Sequence, residues 1–162
     1  MAVGRWAFDA ERNSPTREGS AVAGQVQRNT TRIQSSFAVL VIAQTAHSIE
    51  EYIGRLWELF PPATFLTGLV SANRKIGFLV INGALVAFGV WCYYWPVRRD
   101  WSSAATVICF WVLIETVNGV GHSAWSLFQG GYTPGVATAP LLLGLSVYLA
   151  LQLRNNRLGR WC

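Results

Sequence analysis

Charge is scarce in this chain. Only 13% of its 162 residues are Asp, Glu, Lys or Arg, against 52% hydrophobic residues, where a soluble domain carries about 25% charged residues. A soluble domain is therefore not the expected class, and the composition points to a membrane protein. Cysteine is scarce too: Cys92, Cys109 and Cys162 stand far apart with no CxxC pair, which excludes a disulfide framework and a thiolate zinc site. Cys92 and Cys109 fall in apolar runs, where Cys behaves as a small hydrophobe. No apolar stretch follows the N-terminus at signal-peptide distance, and Asp9, Glu11 and Glu18 argue against an organellar transit peptide. A basic footprint is also lacking. The net charge of +5 comes from residues gathered at the chain ends and in short loops, so no nucleic-acid partner is expected.

What the chain does have is four apolar runs. The first spans about Ile33 to Phe60 and is expected to end at Pro61-Pro62, because proline cannot continue a helical hydrogen-bond ladder. The second runs from Ile76 to Trp95, where Tyr93-Tyr94-Trp95-Pro96 resembles an interfacial aromatic belt. The third runs from Trp101 to Phe128, and the fourth from about Val136 to Leu153, with a turn by composition between them at residues 129–135. The expected fold is all-α: a polytopic membrane protein whose partner is the lipid bilayer, with a four-helix transmembrane bundle over residues 33–154. Residues 1–32 read as a disordered basic tail and 155–162 as a short basic one. Arg5, Arg12, Arg17, Arg28, Arg32, Arg98, Arg99, Arg154, Arg157 and Arg160 would share one side, opposite Arg74 and Lys75, so both termini are expected to be cytoplasmic.

The ionisable residues inside these runs are the functional candidates, because charge within a bilayer is costly and needs partners. At about 100° per residue, Gln44, His47, Glu51, Gly54 and Glu58 form one stripe on the first helix, with Glu50 at its margin. On the third helix, Glu115, Asn118, Gly119, His122 and Ser126 form another. The two helices run in the same direction. At ~1.5 Å per residue, His47 and Glu51 lie roughly 20 to 27 Å from the cytoplasmic end, and Glu115, Asn118 and His122 roughly 21 to 31 Å. Asn82 on the second helix reaches a similar level. Both histidines of the chain are thus expected to converge.

This donor set suits several chemistries. His47, His122 and Glu51 could ligate a divalent metal such as zinc with one position left open, and Glu50 or Glu115 could act as general base. That would make a hydrolase-like enzyme acting on a lipid-like substrate. The di-iron arrangement of Glu-x-x-His pairs is reversed here, and carboxylates beside a His47/His122 haem would burden an apolar porphyrin pocket. The same residues could instead relay protons or bind a cation in a small transporter component, one that would need an oligomer to form a pathway, since no inverted repeat is evident. A purely structural network, with Glu51 bonded to Arg55 and His47 to a carboxylate, is the third reading. In it, Asn82 and Asn118 are interhelical hydrogen-bonding residues.

His47-Ser48-Ile49-Glu50-Glu51, Asn118-Gly119-Val120-Gly121-His122 and Tyr132-Thr133-Pro134-Gly135 together resemble the HXXEE family of small bacterial integral membrane proteins. The likeness spans about Phe37 to Leu153. It implies a multi-pass protein of the bacterial inner membrane and the same choice of residues. The family's biochemical function is undefined, so the resemblance implies no reaction.

Overall fold

The computed structural model describes residues 17–155. It is all-α, with helices α1 (Arg17–Ile53), α2 (Leu56–Leu59), α3 (Pro61–Val70), α4 (Arg74–Cys92), α5 (Ala104–Gln129) and α6 (Ala139–Asn155), and a π-helical turn at Tyr93–Val97. The chain divides into two compact units, 1–32 and 33–162. Within the first, residues 17–32 are helical where an irregular tail was expected. Beyond Pro15 this stretch has no proline, and Gln25 donates to Asn29, Arg28 to Gln25, and the Thr31 hydroxyl to the Gln27 carbonyl, local pairs that support a helix. Of the expected tails, 1–32 and 155–162, residues 1–16 and 156–162 lie outside the described residues, and Asn155 is the last residue of α6.

Within the second unit, the expected first helix is wrong at its outer end. It stops at Ile53 rather than at Pro61-Pro62, because Arg55 adopts a left-handed conformation (φ 57°, ψ 46°) that no helix interior accepts. The prolines do the opposite of what was expected of them: they open α3 at its first two positions, where a missing N–H costs nothing. Asn73 then caps α4, its side chain accepting from the Lys75 and Ile76 amides at 3.1 and 3.4 Å. At the far end of α4, Pro96 has no amide to give, and the ladder widens so that the Arg98 N–H reaches the Tyr93 carbonyl at 2.9 Å.

Ile33, Phe37, Leu40, Val41 and Ala43 of α1 pack with Cys92, Val97, Ile108, Trp111, Leu142 and Leu149 in the principal core. A second cluster of Leu56, Trp57 and Phe78 closes the opposite end, backed by Tyr52, Phe60 and Trp125. α5 and α6 approach closely at Gly119, where a Cβ would lie 2.8 Å from the Leu143 Cβ. Two helical segments, Arg74–Val97 and Ala104–Gln129, are long and apolar enough to cross a membrane. The last turns of α1 reverse the usual polarity: Gln44, His47, Ser48 and Glu51 are buried, while Ile42, Ile49 and Ile53 are exposed.

Candidate metal site

Helical spacing puts His47 and Glu51 on the same face of α1 one turn apart, and α5 brings His122 against them. The Glu51 Oε1 lies 3.4 Å from the His47 Nε2 and 3.0 Å from the His122 Nε2. The three ligand atoms lie within 4.8 Å of one another, and all three residues are buried. The imidazoles meet edge to face, with centroids 4.8 Å apart and planes at 87°.

The outer nitrogens of both rings are tied down, and their partners assign the protons. His122 Nδ1 lies 2.8 Å from the Pro134 carbonyl; a carbonyl only accepts, so Nδ1 carries the hydrogen and Nε2 of the neutral ring offers a lone pair. His47 Nδ1 lies 2.7 Å from the Thr138 hydroxyl. That hydroxyl donates its one proton to Glu50 Oε2 at 2.6 Å, so it accepts from Nδ1, and His47 Nε2 also offers a lone pair. His47 Nε2 is buried with no hydrogen-bond partner. Two lone pairs and a carboxylate oxygen therefore face one another, an arrangement that repels unless a cation or a proton sits among them.

Glu50, expected beside this group as a possible base, instead faces the loop before α6. Its Oε1 accepts from the Tyr132 hydroxyl (2.8 Å) and the Gly135 and Ala137 amides (3.1 and 3.0 Å), and its Oε2 from the Thr138 amide (2.9 Å) and hydroxyl. Burial, then the hydrogen bond and charge of Glu50, push the Tyr132 phenol above its ordinary range, so it stays a donor at neutral pH. Glu50 thus holds the loop, and through Thr138 it orients His47. Glu50→Gln would turn an amide N–H₂ toward some of these donors. Each hydrogen bond to a charged group contributes about 1.5–3 kcal/mol, so the amides of Gly135, Ala137 and Thr138 are expected to exchange hydrogen roughly 10- to 100-fold faster in this variant. Unchanged protection in a hydrogen-exchange measurement would refute the anchoring role.

Gly135 sits against both rings. A Cβ there would lie 2.6 Å from His122 Nδ1 and 2.9 Å from His47 Cε1, and its φ is +91°. Gly54 gives Pro134 the same clearance, with a would-be Cβ 2.6 Å from the Pro134 Cβ. Glycine at the α1 break and glycine in the loop are thus what let the loop close over the imidazoles.

The remaining polar candidates form a neighbouring chain across three helices. Ser48 donates to Asn82 Oδ1 at 2.9 Å. Gln44, with its amide nitrogen turned toward Glu115, donates to both carboxylate oxygens at 2.9 and 3.1 Å; the reverse orientation would set oxygen against oxygen. Asn118 stands three residues beyond Glu115 on the same face of α5. Arg55 pairs with the exposed Glu58 at 2.6 Å rather than with Glu51, because the left-handed turn swings it away. Sequence reasoning missed Thr138. Its signal was its position: a hydroxyl residue immediately before an apolar helix with proline at its second residue, a typical helix start.

No curated protein and no solved structure matches the chain. Residues 38–149 match a family described as proteins of unknown function with an HXXEE motif, and that span includes His47-Ser48-Ile49-Glu50-Glu51 and every residue of the site. The chain belongs to the HXXEE family.

Proposed function

We propose that His47, Glu51 and His122 hold a divalent cation such as zinc inside the membrane, and that the protein is a hydrolase acting on a lipid-like substrate. The observation that carries this reading is the convergence of two Nε2 atoms on one carboxylate oxygen, each a lone-pair donor in the neutral ring because its Nδ1 holds the hydrogen. Bonds of ~2.05 Å to a tetrahedral ion imply donor separations of about 3.3 Å; the two His–Glu51 separations, 3.4 and 3.0 Å, are near this, and all three donors lie within 4.8 Å of one another. Two histidines and a carboxylate are a donor set of catalytic zinc, which keeps one position open. A cation there supplies Lewis acidity to a bound water or carbonyl. Thr138 and the Pro134 carbonyl orient the two rings, and Glu115 is the buried carboxylate left for proton transfer. A purely structural network would need a proton in place of the cation, an imidazolium pairing with Glu51 across the 3.4 Å from His47 Nε2, because with both rings neutral that buried nitrogen has no partner.

The membrane placement extends beyond the two candidate spans to α1 and α6, giving four crossings with both termini cytoplasmic. It is supported by the exposed Ile42, Ile49 and Ile53 beside buried polar residues in the last turns of α1 and by the low burial of the two spans, 22% and 28%, unlike core helices of a soluble protein. The test is metal analysis of protein purified without chelators, with ester hydrolysis assayed on lipid-like substrates before and after stripping. About one zinc per chain is expected, with hydrolysis lost on stripping and restored by zinc. Absence of stoichiometric metal would sink the proposal.

A further inference from the structure

Between Ile33 and Val97 the chain has three cationic residues, Arg55, Arg74 and Lys75. All three line one open cavity of about 1040 Å³, together with Tyr52, Trp57, Asn73 and a single carboxylate, Glu58. They come from two separate places in the fold. Arg74 and Lys75 open α4, whereas Arg55 is delivered by the break after α1. That break is costly, because Arg55 takes φ 57° while glycine, which would adopt it freely, stands one position earlier. Glu58 pairs with Arg55, and Lys75 lies 5.6 Å over the Tyr52 ring. The formal charge of the lining is therefore positive.

The level of this cavity is set by the sequence: the apolar segment Arg74–Val97 begins at Arg74, so in a membrane these cations lie where the hydrocarbon ends and phosphate groups begin. On the proposed topology they occupy the side where Lys and Arg are otherwise avoided. The cavity adjoins the metal site through the chain itself, Tyr52 following Glu51 directly.

From this geometry we infer that the cavity is a binding site for a phosphate mono- or diester group, the anionic head of the lipid-like molecule presented to the His47–Glu51–His122 site. The inference relies on the membrane placement proposed above but not on the metal.

The test uses the full chain in two arms, nanodiscs containing phosphatidylglycerol or phosphatidylcholine, with lipid retention read by native mass spectrometry, and detergent solution titrated with inorganic phosphate. Preferential retention of phosphatidylglycerol is expected. At about 5-fold per cation, Arg74→Gln with Lys75→Gln should weaken it roughly 25-fold, and Glu58→Gln should strengthen it about 5-fold. The Glu58 variant and the phosphate titration remain decisive if the double variant misfolds. Phosphate that binds and competes with the lipid assigns the site to the phosphate group from either source. Lipid preference without phosphate competition assigns it to the lipid headgroup. Equal retention of the two lipids with no phosphate binding overturns the inference. Zinc content is measured on the same samples: a chain without metal that still prefers phosphatidylglycerol fails as a metallohydrolase and keeps this site, whereas a zinc-loaded chain with no phosphate or lipid preference does the reverse.

Discussion

His122→Ala is expected to bind zinc about 1000-fold more weakly than the native chain, a larger loss than the 10- to 100-fold typical when only an outer partner of a ligand is removed. The variant deletes one of three donors and also frees the Pro134 carbonyl that His122 Nδ1 holds at 2.8 Å. Two effects must be separated. Loss of the ligand lowers metal affinity alone, whereas a freed carbonyl and a new cavity lower stability by about 2–4 kcal/mol with or without metal. Titration against a chromophoric chelator measures the first, and thermal unfolding of metal-stripped protein measures the second. His47→Ala should match it in affinity, since its Nε2 faces the same Glu51 oxygen. Native affinity in both variants would remove the three-donor site from consideration.

Gly135→Ala is expected to damage the same site without touching a ligand. The added methyl would overlap His122 Nδ1 and Cε1 at 2.6 and 2.7 Å and His47 Cε1 at 2.9 Å, on a backbone at φ +91° that alanine avoids. Something must move, and the alternatives differ in consequence. If the rings yield, both Nε2 atoms leave their 3.0 and 3.4 Å positions against Glu51; if the loop yields, Glu50 loses the Gly135 amide and its neighbours. Either way zinc affinity should fall by roughly 100-fold or more, with a stability loss of about 1–3 kcal/mol from backbone strain. Gly131→Ala is the control, since a Cβ there meets nothing within 4 Å. Zinc affinity in Gly135→Ala equal to that of the control would show that close seating of the loop does not matter.

The triad and the long helices were legible because helical periodicity is written locally. A spacing of four residues places His47 and Glu51 together whatever the rest of the chain does, and the apolar runs announce α4, α5 and α6 within a few residues of their ends. The roles of Glu50 and Thr138 were not legible. Glu50 has the same neighbours in sequence as Glu51, and its five donors come from residues more than 80 positions away. The end of α1 was misread for another reason. Pro61-Pro62 is the louder signal, but proline breaks only a helix that has reached it, and a left-handed residue at Arg55 had already ended this one. Nothing in an arginine codon position foretells a positive φ; the adjacent Gly54 was the hint, and its clearance for Pro134 shows that the break and the loop belong to one arrangement.

That break also gives the site its electrical sign. α1 runs for 37 residues and stops at Ile53, so its aligned peptide dipoles terminate, with roughly half a negative charge, within one turn of Glu51. Had the helix continued to Pro61, that negative pole would lie two further turns away, near the water. Ending it early adds the field of the backbone to the Glu51 carboxylate. The HXXEE segment thus becomes a place that attracts cations and repels anions before any ligand bond forms, whereas the cavity lined by Arg55, Arg74 and Lys75 has the opposite preference.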